Sequence, residues 1–128
     1  MSAKYDIEID QGSDIIFPIQ LEDANNVEQD LTSYSAKMQI RISTYSAKPL
    51  DELSTENKRI LIKEDPTSKQ LNSDGSKPKS ILECHWSNEV TSAFPPGNHV
   101  YDLELISSDN KITRILEGKF KVSREVTR

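Results

Sequence analysis

Hydrophobic and polar residues alternate along several short stretches of the chain, and this period of two predicts β-strands. The clearest stretch runs from Tyr34 to Ser43. The same alternation predicts further strands at residues 4–9, 14–22, 59–63, 80–86, 99–106 and 112–126. The residues predicted to face the interior are Tyr5, Ile7, Ile9, Ile15, Phe17, Ile19, Leu21, Ala36, Met38, Ile40, Ile42, Leu82, Cys84, Trp86, Tyr101, Leu103, Leu105, Leu116, Phe120 and Val122.

Polar segments separate the predicted strands. Residues 23–29 (DANNVEQ) are typical of a turn, because Asp and Asn side chains bond to their own backbone. Two long polar loops are predicted at 44–58 and 64–79, where we expect mobility and contact with a partner. In the first, DELSTENK is compatible with one helical turn. Residues 87–94 (SNEVTSAF) predict another helical turn between two sheets, and Pro95, Pro96 and Gly97 end it.

The pattern as a whole favours an all-β fold. Seven or eight short strands with one or two helical turns, and no alternation of strands with helices, indicate one immunoglobulin-like antiparallel β-sandwich over residues 1–128. A small closed barrel has the same strand signals and is the alternative. Pro18 lacks an amide donor and predicts a sheet edge, while Gly118 inside a strand predicts a bulge or bend.

Composition and charge exclude several classes of partner. The 128 residues carry a formal net charge of −5, and Lys and Arg are not clustered, which argues against nucleic-acid binding. The apolar runs are too short to span a membrane, and the first residues, MSAKYDIEID, lack the apolar stretch of a secretion signal, so we expect none. A single cysteine excludes an intrachain disulfide and favours synthesis in the cytoplasm.

The candidate chemical groups do not combine into a site. Cys84 and His85 are neighbours in a predicted strand and therefore point to opposite faces. Cys84 is expected in the core, and His99 on the surface at the start of its strand. We predict no catalytic, cofactor-binding or metal-binding residue, since one Cys and two His are too few for zinc and Asp23–Asn26 lacks the spacing of a calcium loop.

Two aromatic residues have alternative interpretations. Trp86 is a candidate for sugar stacking, but its parity with Leu82 and Cys84 favours the core. Tyr101 begins a late strand after a Pro-Gly corner, so it fits a tyrosine corner, in which the phenol bonds back across the connection between sheets. The alternative is that Tyr101 is simply an inward-facing core aromatic.

Three stretches of the chain, IEIDQGSDIIFPIQLED, DLTSYSAKMQIR and FPPGNHVYDLELISSDNKITRILEGKFKVSREVTR, occur in a familiar order. In this order they resemble small virion proteins of tailed phages, common in cyanophages and related to the N-terminal domain of phage baseplate upper proteins. The matching positions are Pro96 and Gly97, Tyr101 to Leu103, Arg114 to Gly118, and Val126 to Arg128. The segment from Thr44 to Lys79 matches nothing in this family.

The resemblance implies an immunoglobulin-like domain that decorates, adapts or connects larger parts of a phage particle. We therefore expect a non-enzymatic structural or docking protein of the tail, baseplate or capsid surface, made in the host cytoplasm and located in the virion. The expected partners are other virion proteins, with self-association following the particle's symmetry left open, and neither nucleic acid nor membrane. The alternatives are a module that binds a host-surface glycan or receptor and an assembly accessory protein.

Overall fold

The computed structural model describes residues 3–21, 31–64, 71, 75 and 77–124. Nine strands and one helix lie within these residues. In chain order they are β1 (Ala3–Lys4), β2 (Ile7–Asp10), β3 (Ile15–Gln20), β4 (Ser35–Arg41), β5 (Asp51–Ser54), β6 (Ile60–Lys63), β7 (Ile81–Trp86), α1 (Asn88–Ala93), β8 (Gly97–Ile106) and β9 (Ile112–Ser123).

The strands form two sheets. The larger has the order β1-β9-β8-β4-β5, with β2 also paired to β9, and the smaller has the order β3-β7-β6. In immunoglobulin domains strands B, E and D form one sheet and strands C, F and G the other, and here β3, β7 and β6 occupy the first set and β4, β8 and β9 the second. The predicted immunoglobulin-like sandwich is confirmed. All pairings are antiparallel except those of β1 and β2, which run parallel to β9.

The core lies between the two sheets and follows the predicted parity. The inward residues of β4, β7 and β8 are buried, including Trp86 and Cys84, as predicted. Phe120 packs at the centre, with ring centroids 5.5 Å from Trp86 and 5.8 Å from Phe94. Ile42 is an exception: β4 ends at Arg41, so the alternation no longer applies and Ile42 is exposed.

The predicted strand at residues 4–9 is interrupted at Tyr5 and Asp6, which separate β1 from β2. The side chain of Tyr5 is largely exposed instead of facing the interior. At this break the Tyr5 backbone lies against Gly118, where a Cβ would lie 2.8 Å from the Tyr5 carbonyl carbon and closer still to its oxygen. Gly118 therefore permits a close backbone approach.

The sequence predicted a bulge or a bend at Gly118, and the bulge of β9 lies elsewhere. Leu103 pairs with Leu116 and Glu104 pairs with Arg114, so Ile115 is the extra residue of β9. A bulge redirects side chains on either side of the extra residue. Ile115 and Leu116 both pack against the core as a result.

The prediction of a long polar loop at 44–58, with a helical turn in DELSTENK, is wrong. Residues 51–54 form β5, and residues 55–58 form the turn that follows. Leu53 alone is apolar in β5, and a four-residue edge strand needs only one inward side chain, so the alternation is invisible in the sequence. In the predicted loop at 64–79 the described residues lie outside strands and helices.

Some predictions fall outside the described residues. They are the turn at 23–29, most of residues 65–76, and the terminal Val126 to Arg128.

The helical turn predicted at residues 87–94 is confirmed as α1, which connects β7 of one sheet to β8 of the other. The Ser87 side chain caps it by accepting a hydrogen bond from the Val90 amide. Buried Thr91 donates to the Ser13 carbonyl at 2.8 Å and accepts from the Gly12 amide at 3.1 Å. These bonds attach α1 to the turn between β2 and β3.

Pro18 lies in the middle of β3, which is an edge strand of the smaller sheet as predicted. The Leu21 amide donates to the Ser80 carbonyl at 2.9 Å, so the odd-numbered residues of β3 bond to β7. Position 18 therefore directs its nitrogen to the open edge, where a missing N–H costs no ladder bond.

Candidate functional site

The cysteine lies deep in the core, on the inward face of β7. Burial raises the pKa of the Cys84 thiol to about 12, and the nearby Glu83 carboxylate adds to this effect. His85 points to the opposite face of the same strand, as the parity predicted. Because only the thiolate is an effective nucleophile, this thiol is inert at neutral pH.

His85 belongs to a small polar cluster on the outer face of the smaller sheet. The Glu83 carboxylate lies 3.0 Å from Lys63 Nζ and 2.7 Å from His85 Nε2. The hydrogen bond from Lys63 is the main cause of the lowered pKa of Glu83, and His85 contributes to it. This cluster was not predicted from the sequence. The available signal was that Glu83 and His85 have the same parity in β7, while Lys63 lies in the neighbouring strand β6.

His99 was predicted on the surface, and that prediction is wrong. Its side chain faces inward from β8 and is 5% exposed. The ring Nε2 lies 2.6 Å from the Pro95 carbonyl, which only accepts, so Nε2 carries the proton. His99 therefore holds the connection between α1 and β8 in place.

Tyr101 is an inward-facing core aromatic and not a tyrosine corner. Its phenol donates to the Tyr5 carbonyl at 2.5 Å, which joins β8 to the break between β1 and β2 in the same sheet. Burial raises the pKa of the phenol, and the carboxylate of Asp6 raises it further. Tyr101 and Gly118 together fix the path of the N-terminal segment.

The outer face of the larger sheet forms a groove of about 680 Å³. Four basic and four acidic side chains line it, and some pair with each other: Arg114 lies 3.1 Å from Glu117 and 3.7 Å from Asp102. Because the basic and acidic side chains are equal in number, the groove has no net positive charge to attract a polyanion. The charged lining residues are Lys4, Asp6, Arg41, Asp102, Glu104, Arg114, Glu117 and Lys119.

At one end of this groove, residues 42–46 form a turn that we call the Tyr45 turn. Tyr45 is 95% exposed, and Ile42 beside it is 59% exposed. The Ser46 amide donates to the Ser43 carbonyl at 3.1 Å, and the Ser43 amide donates to Ser46 Oγ at 3.1 Å. Thr44 lines the groove, so the turn and the groove form one continuous surface.

The described residues contain neither a metal cluster nor a membrane-spanning helix. In the part of the chain that the structure covers, no three His, Cys, Asp or Glu side chains are grouped so as to hold a metal ion. Among the same residues, no helix has the length and apolar character needed to cross a bilayer.

No family model matches this chain, and no curated protein matches it. Among solved structures, the chain is similar to CopC from Methylosinus trichosporium OB3b, with 14% identity over 89% of this chain and 99% of that chain and a TM-score of 0.34. It is also similar to murine CRIg, with 7% identity over 94% of this chain and 92% of that chain and a TM-score of 0.32. With TM-scores this low, the assignment of an immunoglobulin-like fold depends on the order and pairing of the strands and not on these two similarities.

Proposed function

We propose that this chain is a non-enzymatic structural or docking protein of a tailed-phage virion, located on the tail, the baseplate or the capsid surface. Its partners in this proposal are other virion proteins. It would be made in the host cytoplasm and leave the cell as part of the particle.

The observation that carries the proposal is the resemblance of its strand sequences to small phage virion proteins. The matching positions that the structure describes cluster in the fold. Pro96 and Gly97 lead into β8, Tyr101 lies in β8 and bonds to the N-terminal segment, and Gly118 of β9 accommodates that segment. These residues define the scaffold, so their pattern supports a shared architecture, and the role is inferred from the family.

The state of the reactive side chains supports a non-enzymatic role. The Cys84 thiol is buried with a raised pKa, His85 is bonded to Glu83, and His99 is bonded to the Pro95 carbonyl. Nucleophilic catalysis needs a nucleophile within hydrogen-bond reach of a base. In this arrangement the thiol and both imidazoles are committed to packing or to structural bonds.

Mass spectrometry of purified particles tests the proposal. We expect the protein at a fixed copy number per particle, resistant to washing at high salt. If it is abundant in infected cells and missing from mature particles, the virion role is wrong and an assembly accessory protein is the better description.

A second candidate function is binding to a host-surface glycan or receptor, and the exposed ring of Tyr45 favours it because aromatic faces stack on sugars. A glycan array and a host-cell adsorption assay with the isolated domain test this candidate. Binding that is lost in Tyr45→Ala and kept in Ile16→Ala would support it, and absence of binding by the unaltered domain would exclude it.

A further inference from the structure

The Tyr45 turn contains two large apolar side chains that are exposed. Single exposed hydrophobic residues are ordinary on protein surfaces. Here Tyr45, the most exposed of the large hydrophobic residues described, lies three positions from exposed Ile42, and a polar groove adjoins them. Tyrosine is enriched among the residues that contribute most to protein–protein binding.

The turn is held rigid by bonds that reach back into the sheet. The side-chain amide of Gln39 donates through Nε2 to the Glu52 carboxylate of β5 at 2.8 Å. Its Oε1 accepts from the Arg41 guanidinium at 2.7 Å. Arg41 in turn donates to the Ser46 carbonyl at 2.7 Å. A contact residue on a preorganised turn loses little conformational freedom on binding, and this favours affinity.

The segment of sequence that contains the turn differs in charge from the chain as a whole. Residues 41–50 (RISTYSAKPL) contain Arg41 and Lys48 and no acidic residue, whereas the chain has a net charge of −5. Lys48 is exposed and follows Tyr45 by three positions. The complementary surface is therefore an apolar pocket with an acidic rim.

From these observations we propose that the Tyr45 turn docks into an apolar, acid-rimmed pocket of another virion protein, with the Tyr45 ring as the central contact. This inference rests on the proposed function. In the complex the Tyr45 ring is buried, and Ile42 packs at the edge of the pocket. Lys48 faces the acidic rim, and the groove of the larger sheet provides polar contacts at the periphery.

The test uses phage that carry altered forms of the full-length protein. We expect Tyr45→Ala to lower the amount of the protein in purified particles by about tenfold or more, since truncating a central aromatic contact costs at least that in affinity. Ile42→Ser and Lys48→Glu should lower it by smaller factors. Ile16→Ala is the matched control, because Ile16 is 62% exposed on the outer face of the other sheet.

Circular dichroism of each purified variant establishes that a loss from particles is not a loss of folding. A second measurement uses Tyr45→p-benzoylphenylalanine, which is expected to photocrosslink in intact particles to one virion protein. The same replacement at Ile16 should give no such product.

The outcomes separate the two proposals. If the unaltered protein is absent from particles, both fail. If it is present and Tyr45→Ala is retained as well as Ile16→Ala, docking through this turn is wrong and the virion role stands. If Tyr45→Ala is retained in particles and abolishes binding to host cells, the turn recognises a host glycan or receptor instead.

Discussion

At the scale of single residues, Gly118 permits a close approach between β9 and the break that separates β1 from β2. Its missing side chain lets the Tyr5 backbone lie directly against β9, where the Tyr5 amide donates to the Glu117 carbonyl at 2.9 Å. We expect Gly118→Ala to destabilise the protein by about 3 kcal/mol, because an added Cβ would displace the Tyr5 backbone, whose amide bonds to Glu117 and whose carbonyl bonds to Tyr101. Urea denaturation followed by tryptophan fluorescence measures the change.

Gly75→Ala is the control for the Gly118 prediction. Gly75 has a φ of +88°, and among the described residues no atom lies within 4 Å of the position that an added Cβ would take. That substitution therefore costs only backbone strain, about 1–2 kcal/mol. Hydrogen exchange should also show faster exchange at Tyr5 in Gly118→Ala. Equal stabilities of the two variants would refute the steric argument.

The sequence predicted the inward residues well and their polar bonds poorly. Parity identifies Trp86 and Cys84 as core residues, because each lies in a strand with clear alternation. The bond between Tyr101 and Tyr5 joins residues that are 96 positions apart, and the burial of His99 depends on the Pro95 carbonyl turning back toward its ring. Such contacts depend on tertiary structure, which no local pattern encodes.

At the scale of elements, one ion pair joins the two sheets where the chain crosses from β5 to β6. Arg59 contacts both oxygens of Asp51, at 2.5 and 2.6 Å, and also lies 3.4 Å from the His85 carbonyl of the other sheet. The side chains of Arg59 and Asp51 are only 25% and 12% exposed. We expect Asp51→Asn to destabilise the protein by about 2 kcal/mol, which thermal or urea unfolding measures.

Lys37→Gln is the matched control, since Lys37 pairs with Glu52 at 3.7 Å in the same β4–β5 hairpin. Both side chains of that pair are about as exposed as open surface groups, at 43% and 40%. Removing such a pair changes stability by less than about 0.5 kcal/mol. If Asp51→Asn is as mild as Lys37→Gln, the corner does not depend on the ion pair.

The elements that the sequence missed are those with too few apolar residues to produce a pattern. β5 has one inward residue, Leu53, in a segment that reads as polar loop. The break at Tyr5 has the opposite cause, because the alternation continues through it in the sequence and only the close approach of the Tyr5 backbone to Gly118 reveals it. Longer strands such as β4 and β8 were predicted because three or more inward residues repeat in each.

At the scale of the whole molecule, the strand tally left a sandwich and a barrel open, and the pairing decides between them. Among the described strands, β3 and β6 are free edges of the smaller sheet, so the sheets do not close on each other. The Tyr45 turn shows how far the sequence alone can predict a candidate binding surface. Tyr45 lies in a segment that the sequence predicted only as a polar loop, whereas its exposure and the bonds that support its turn follow from the structure.

A buried thiol with a raised pKa links the stability of the whole fold to alkaline pH. The pKa of Cys84 is about 12 in the folded protein, against 9.0 for an accessible thiol. A group whose folded pKa is raised contributes its full stability below the unfolded pKa and loses it as pH rises toward the folded pKa. The window for Cys84 is therefore between pH 9.0 and about 12.

We expect the free energy of unfolding to fall by about 2 kcal/mol between neutral pH and about pH 10.5 through this thiol alone, at about 1.36 kcal/mol per pH unit above the unfolded pKa. The buried phenol of Tyr101 also has a raised pKa and acts in the same direction at higher pH. Urea denaturation of the unaltered protein and of Cys84→Ala at both pH values isolates the thiol, because the main causes of the raised pKa of Tyr101, burial and the Asp6 carboxylate, are common to both proteins. Cys84→Ala should be less stable at neutral pH, where the deleted side chain leaves a cavity, and should lose less stability on going to alkaline pH. Parallel losses in the two proteins would mean that Cys84 gains water access before the fold opens, and the link between this thiol and global unfolding would then be wrong.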